Sequence, residues 1–374
     1  MRPPARRIVA LTAAAAALAG SAAASAAEPS TAAAEPSTAA AEPSSVAAEP
    51  STAAARPLAG LRVLLGNDDS MQAAKASNSD GLGLYELRRA LCAAGADVVV
   101  MAPWQVRSGA GTAVSNDGVL TLARRTDLPA GYQGDCSGTP SGSPVYGVCL
   151  SAGPCGPGSP SATPADTVKL ALRAALAAKA GWTDGPDLVV TGINSGPNVS
   201  AQVNDSGTVG AALAAVEEGV PALALSSAGD DSGVFFPLAD YRAAADFGAR
   251  LIAGLRARGL LGTEFALKVD YPDVTTAGPA KAARWTRVGH GREVWHAYRP
   301  AGADGFAITL GACEHRPGDA CTETVPDADA TALLRDGHVS VTPVTPDRTY
   351  GVRTADPQEL NRLRHYIEHD APRP

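Results

Sequence analysis

Short, nearly continuous apolar runs alternate along most of the chain with segments whose apolar positions recur at helical spacing. The first run, Leu61 to Gly66, reads as a strand, Leu84 to Ala94 as a helix and Asp97 to Ala102 as a second strand. Ala165 to Ala180 then reads as a helix, Asp187 to Thr191 as a strand, and Thr208 to Glu218 as a helix closed by Gly219. Pro221 to Ser226 (strand), Tyr241 to Arg258 (long helix) and Ala266 to Val269 (strand) continue the series. Apolar strands without polar alternation are covered on both faces, so the pattern predicts an α/β, doubly wound, mostly parallel sheet. After Pro272 the rhythm changes to short, turn-rich strands around Trp285 to Tyr298, Phe306 to Leu310 and Val339 to Thr342, with a last helix near Pro357 to His369. That change predicts a C-terminal antiparallel extension.

The beginning of the chain obeys different rules. Arg2, Arg6 and Arg7 precede an Ala-rich apolar stretch, and small residues follow to Ala27, the layout of an export signal covering residues 1–27. Residues 28–56 then repeat the heptad Glu28-Pro29-Ser30-Thr31-Ala32-Ala33-Ala34 with small changes. A proline in each repeat and the lack of large apolar residues exclude a coiled-coil seam, which leaves a flexible tether. The folded part is expected as a core over 57–272, with an insertion at about 131–163, and an extension over 273–374. The expected location is extracellular. No other stretch is apolar enough to span a bilayer.

Charge narrows the partners. The chain carries 31 basic against 38 acidic side chains, a formal net charge of -7 that becomes -10 once the three leader arginines are removed. Such a balance disfavours nucleic-acid polymers and anionic membranes. Six cysteines in an exported chain are expected to be partly paired. Cys313 and Cys321 flank a loop that a bridge would staple, Cys136, Cys149 and Cys155 share a Gly/Ser/Pro-rich segment suited to a local bridge, and Cys92, in a helical pattern, reads as a buried free thiol. No paired C-x-x-C spacing points to zinc.

Candidate chemistry concentrates after the strands. Asn67-Asp68-Asp69 follows the first strand, where open α/β sheets place ligands. Two adjacent carboxylates in a cleft repel unless a cation separates them, and oxygen donors favour a hard one such as Mg²⁺, Mn²⁺ or Ca²⁺. Arg107-Ser108-Gly109 follows the second strand and Gly192-Ile193-Asn194-Ser195-Gly196-Pro197-Asn198 the third, so both open on the same edge. Ser206-Gly207-Thr208 precedes an Ala-rich helix, where Ser206 is a good N-cap and free N–H groups suit a phosphate. Taken singly, each motif reads as turn or cap chemistry; their convergence on one edge points to phosphoryl chemistry. The other residues are quieter: His365 and His369 read as a solvated helix face, and Trp182, Trp285 and Trp295 as packing.

In this order, Leu64-Leu65-Gly66-Asn67-Asp68-Asp69, Arg107-Ser108-Gly109, Thr163-Pro164-Ala165-Asp166, the Gly192–Asn198 string and Ser206-Gly207-Thr208-Val209 resemble the SurE survival-protein family. The resemblance is strong from about Leu61 to Ser227, weaker through Lys268-Val269-Asp270-Tyr271-Pro272, and returns at Asp336 to Pro343. It implies a Rossmann-like core and a metal-dependent 5′/3′-nucleotidase acting on nucleoside monophosphates. One divalent ion, Mg²⁺ or Mn²⁺, would be held by Asp68, Asp69, Ser108 and Asn194. Asn198, Ser206, Gly207 and Thr208 would line a phosphate pocket, and Asp68 or Asp69 would act as catalytic acid or base. The resemblance also implies a homodimer or homotetramer using a C-terminal arm.

Three departures bear on that expectation. Ser70 stands where the family has glycine, residues 71–80 lengthen the first loop, and Asp205 places a carboxylate before Ser206. No G-x-S-x-G, P-loop or G-x-G-x-x-G motif offers another enzyme class. The alternatives are a secreted nucleotide- or metal-binding protein with impaired turnover, and a broader phosphatase of small phosphoesters.

Overall fold

The computed structural model describes residues 56–73, 81–230, 235–312, 321–348 and 357–374. The expected leader, nearly all of the tether, residues 74–80 of the first loop and Cys313 lie outside the described residues.

A nine-stranded sheet runs in the order β3-β4-β2-β1-β5-β6-β7-β11-β8. Its strands are β1 (Arg62–Gly66), β2 (Asp97–Pro103), β3 (Leu120–Arg125), β4 (Val145–Leu150), β5 (Leu188–Ser195), β6 (Ala222–Ser227), β7 (Ala266–Tyr271), β8 (Lys281–Trp285) and β11 (His338–Val344). β4, β2, β1, β5, β6 and β7 are mutually parallel. β3 pairs antiparallel with β4, and β11 antiparallel with β7. The remaining strands, β9 (Val294–Pro300) and β10 (Phe306–Ala312), form a separate antiparallel hairpin.

The alternation of side chains along β1 explains why its run is apolar throughout. Val63 and Leu65 pack on the side of α1 (Leu82–Ala93) and α5 (Leu238–Ala257), whereas Leu64 packs on the opposite side. That second layer holds α2 (Pro164–Leu170), its continuation through a π-helical turn into α3 (Leu176–Ala180), and α4 (Gly207–Glu217). Each large aliphatic side chain buried this way contributes roughly 1.5–3 kcal/mol. The last helix, α6 (Pro357–His369), lays Leu363, Tyr366 and Ile367 onto the α1/α5 side.

Two expectations change here. The segment expected as an insertion contributes β4, a strand inside the main sheet beside β2, and β3 precedes it. Gly147 and the flanking Gly/Ser/Pro residues concealed that strand from its composition. Cys92 is also not a free thiol: it bridges to Cys136, with Cα atoms 5.1 Å apart. The 131–143 segment folds over the end of α1, where Arg88 donates to Ser143 Oγ and O at 3.0 Å each and Arg89 pairs with Asp135 at 3.0 Å. A contact across 44 residues leaves no local signal. The local bridge expected in that segment is present as Cys149–Cys155.

Candidate functional site

β1 connects through α1 to β2 on one side, and the chain later returns as β5 on the other. Strand order therefore reverses at β1, and the crevice beyond the carboxyl ends of β1 and β5 is the topological switch point. Asn67, Asp68, Asp69 and Ser70 leave β1 there and are all buried, as is Asn194 near the end of β5.

Hydrogen bonds knit the two strand ends together. Asn67 Nδ2 donates to the Ile193 carbonyl at 3.2 Å, and Ser195 N–H donates to Asp69 Oδ2 at 2.6 Å. The Ser195 and Tyr241 hydroxyls share a 2.6 Å hydrogen bond that ties this turn to α5. Asn194 Nδ2 donates to the Gly196 carbonyl at 2.8 Å, which leaves its amide oxygen for an outside partner.

Asp68 is held by α4. The Thr208 hydroxyl donates to Asp68 Oδ1 at 2.5 Å and the Thr208 N–H to Oδ2 at 3.1 Å. A Cβ on Gly207 would stand 2.9 Å from both Cβ and Oδ2 of Asp68, so glycine is what lets the helix end approach so closely. Burial pushes the Asp68 carboxyl above its usual range, against the opposing pull of the Thr208 hydrogen bonds. Ser206 caps the helix by accepting from Val209 N–H at 3.0 Å. The N-terminal donors expected to meet a phosphate thus already meet the Asp68 carboxylate, the anion that a helix N-terminus favours.

The Ser108 loop is anchored against the same helix. Arg107 N–H donates to the Asp68 carbonyl at 2.7 Å, Gly111 N–H donates to the Asp205 carbonyl at 3.0 Å, and a Cβ on Gly210 would lie 1.9 Å from the Gly111 carbonyl oxygen. Ser108 itself is exposed on this loop, and the Asp205 side chain is exposed to solvent. Thr163 and Asp166 form a capping box at α2 and also grip the loop's far end: Thr163 Oγ1 donates to the Ala113 carbonyl at 2.6 Å, and Ser115 donates twice to Asp166 at 2.8 Å. That gives the Thr-Pro-Ala-Asp motif a supporting role.

Asn198 stands differently. Its side-chain Nδ2 donates to Ser226 Oγ and its N–H to Asp270 Oδ1, both at 2.7 Å, so it is built into the wall between β6 and β7. Behind it lies a cluster that the sequence reading missed. Lys268 Nζ pairs with Asp270 and, at 3.0 Å, with Asp329, all three side chains having no solvent exposure. Burial would lower the Lys268 pKa, but the two carboxylates outweigh it and the ammonium is held above its ordinary value. Asp329 Oδ1 accepts in addition from the N–H groups of Ser200, Gly289 and Ala330. The available signal was Lys268 and Asp270, two charged residues two positions apart inside an otherwise apolar β7.

The donors at the switch point fit a hard divalent cation. They are oxygens only, and Asp68 is buried with no basic side chain paired to it among the described residues. No group of three or more His, Cys, Asp or Glu able to hold a metal occurs among the described residues, so a site here would need Ser108 and Asn194 beside the two carboxylates.

The buried carboxylate pair thus lies at the switch point of a doubly wound α/β sheet, the edge where proteins of this class place their ligands. The chain belongs to the SurE family: the family model described as survival protein SurE matches residues 63–294. It is similar to the 5′-nucleotidase SurE of Desulforamulus reducens, 32% identical over 289 residues that cover 77% of this chain and 94% of the relative. It is likewise similar to the 5′/3′-nucleotidase SurE of Yersinia pestis, 31% identical over 292 residues covering 77% and 91%. The crystal structure of the SurE protein from Aquifex aeolicus matches with a TM-score of 0.52 at 25% identity, over 82% of this chain and 99% of that one. The family and the mostly parallel α/β fold expected from the motifs are both borne out.

Proposed function

We propose that this protein is a divalent-metal-dependent nucleotidase that releases phosphate from nucleoside 5′- or 3′-monophosphates outside the cytoplasm. The observation that carries the reading is the buried Asp68–Asp69 pair at the β1/β5 switch point, in a chain whose relatives are named nucleotidases. Asp68, Asp69, Ser108 and Asn194 are the residues to hold Mg²⁺ or Mn²⁺. The ion, when bound, neutralises phosphate charge and lowers the pKa of a water. Thr208 keeps the Asp68 carboxylate in one orientation through both oxygens, and Ser195 N–H holds Asp69 through Oδ2. Asp68 or Asp69 is assigned the proton transfers. The Ser206–Thr208 helix start and Asn198 border the place for the phosphate.

The export layout of residues 1–27 and the Cys92–Cys136 and Cys149–Cys155 disulfides support an extracellular site of action. Among the described residues no helix is long and apolar enough to cross a membrane. The β9–β10 hairpin supports a homodimer or homotetramer: Tyr298, Phe306, Ile308 and Leu310 are about two-thirds exposed, and the Ile308↔Tyr298 register puts those two on one face. A second reading, nucleotide binding without turnover, is favoured by the commitment of the Thr208 donors to Asp68.

The test is phosphate release by the mature, metal-stripped chain from a panel of nucleoside monophosphates with Mg²⁺ or Mn²⁺ restored. Release that needs the ion and falls by about 10²–10³-fold in Asp69→Asn supports the nucleotidase. Absence of release from every substrate, with nucleotide still bound by folded protein, establishes the binding reading instead.

A further inference from the structure

A cavity of about 460 Å³ opens beside the carboxylate pair, within the size range of small-molecule sites. Ser70, the residue after Asp69, and Val106, just before the Arg107-Ser108 loop, line it together with Gln72, Trp104, Arg124 and Arg125. It therefore adjoins the two loops that carry Asp69 and Ser108, and extends along β3 at the edge of the sheet.

The walls are fixed in unequal ways. Trp104 Nε1 donates to the Gly156 carbonyl at 2.8 Å, and a Cβ on Gly147 would lie 2.5 Å from Trp104 Cε3, so the indole is pinned between β4 and the loop after the Cys149–Cys155 bridge. Gln72 donates to the Trp104 carbonyl at 3.0 Å and accepts from Arg125 at 2.7 Å. Arg125 also faces Asp127 at 3.8 Å, which balances its charge. Arg124, exposed on β3, has no acidic partner among the described residues and leaves the cavity with one uncompensated cation. A pre-oriented aromatic surface suits a nucleobase, and a free guanidinium suits a phosphate.

We infer that this cavity is the subsite for the nucleoside half of the substrate, with the base against Trp104, and that Arg124 selects nucleotides carrying a second phosphate. The inference rests on the nucleotidase reading only for calling the bound nucleotide a substrate; the binding it describes stands apart. The preferred ligand class is therefore a nucleoside bisphosphate over a monophosphate.

Titration of the full mature protein without metal, with adenosine, adenosine 5′-monophosphate and adenosine 3′,5′-bisphosphate, tests this by calorimetry. The bisphosphate is expected to bind about tenfold more tightly than the monophosphate, the scale of one charge-assisted contact. Arg124→Gln is expected to erase that preference while leaving adenosine affinity in place. Trp104→Ala is expected to weaken all three ligands about tenfold, with Trp104→Phe restoring most of it. Equal affinity for the two nucleotides in the wild type, or a preference that survives Arg124→Gln, overturns the assignment. Failure of adenosine to bind also overturns it, even if phosphate release is observed. Selective binding without phosphate release would sink the nucleotidase and keep the subsite.

Discussion

The carboxyl edge of β1 and β5 and the β9–β10 hairpin invert the usual distribution of side chains in opposite senses. At the strand edge, Asp68, Asp69, Asn194 and Thr208 are polar and buried; on the hairpin, Tyr298, Phe306, Ile308 and Leu310 are large, apolar and exposed. The polar edge answers its desolvation cost internally, through the Thr208 and Ser195 donors, and so is complete as a scaffold for a ligand. Among the described residues the hairpin pairs only with itself, and its large apolar side chains stay exposed. A two-stranded ribbon is marginal in water without such cover. One anomaly thus points to chemistry and the other to association.

The comparison breaks most sharply at Lys268. Lys268→Met keeps the volume but strands Asp270 and Asp329, and is expected to cost about 3–5 kcal/mol in denaturant unfolding. An unchanged midpoint would show that the cluster does not hold the wall carrying Asn198. On the hairpin, Ile308→Asp is expected to shift the proposed homo-oligomer to monomer by light scattering, with phosphate release per chain retained. A native mass unaffected by that charge would remove the hairpin from the interface.

The smallest effect concerns Asp240, buried at the start of α5. Burial raises its carboxyl to about 7, with the Val274 N–H at 2.9 Å pulling down and Asp273 pushing up. The unfolded chain loses this proton near pH 4. Between about pH 4 and pH 7 the folded state therefore holds more protons, so this group's contribution is full at acid pH and is lost as pH rises through about 7. Asp240→Asn is accordingly expected to gain in Tm relative to the wild type as pH goes from 4 to 7. A difference between the two that stays flat across that range would contradict a raised carboxyl.

Much of the site was legible because its residues follow strands. Asp68, Asp69 and Asn194 were placed on one edge by nothing more than the position of apolar runs, and β1, β2, β5, β6 and β7 were each found within a few residues. β4 was not, because Gly147 sits in it to make room for Trp104 and Met71, and glycine in a turn-rich stretch reads as loop. The Cys92–Cys136 bridge and the pairing of Asp329 with Lys268 were invisible for a different reason: each joins segments whose proximity is a property of the packed fold.

By itself, then, the amino-acid sequence determined the α/β layering and the strand ends that carry the carboxylates, since both follow from local periodicity and from the rule that parallel strands bury two faces. Only the tertiary structure decided that Thr208 gives its donors to Asp68, that Asn198 belongs to a wall, and that Trp104 and Arg124 border one cavity. Those outcomes depend on which donor reaches which acceptor across more than a hundred residues in the Thr208–Asp68 case, a choice made by packing.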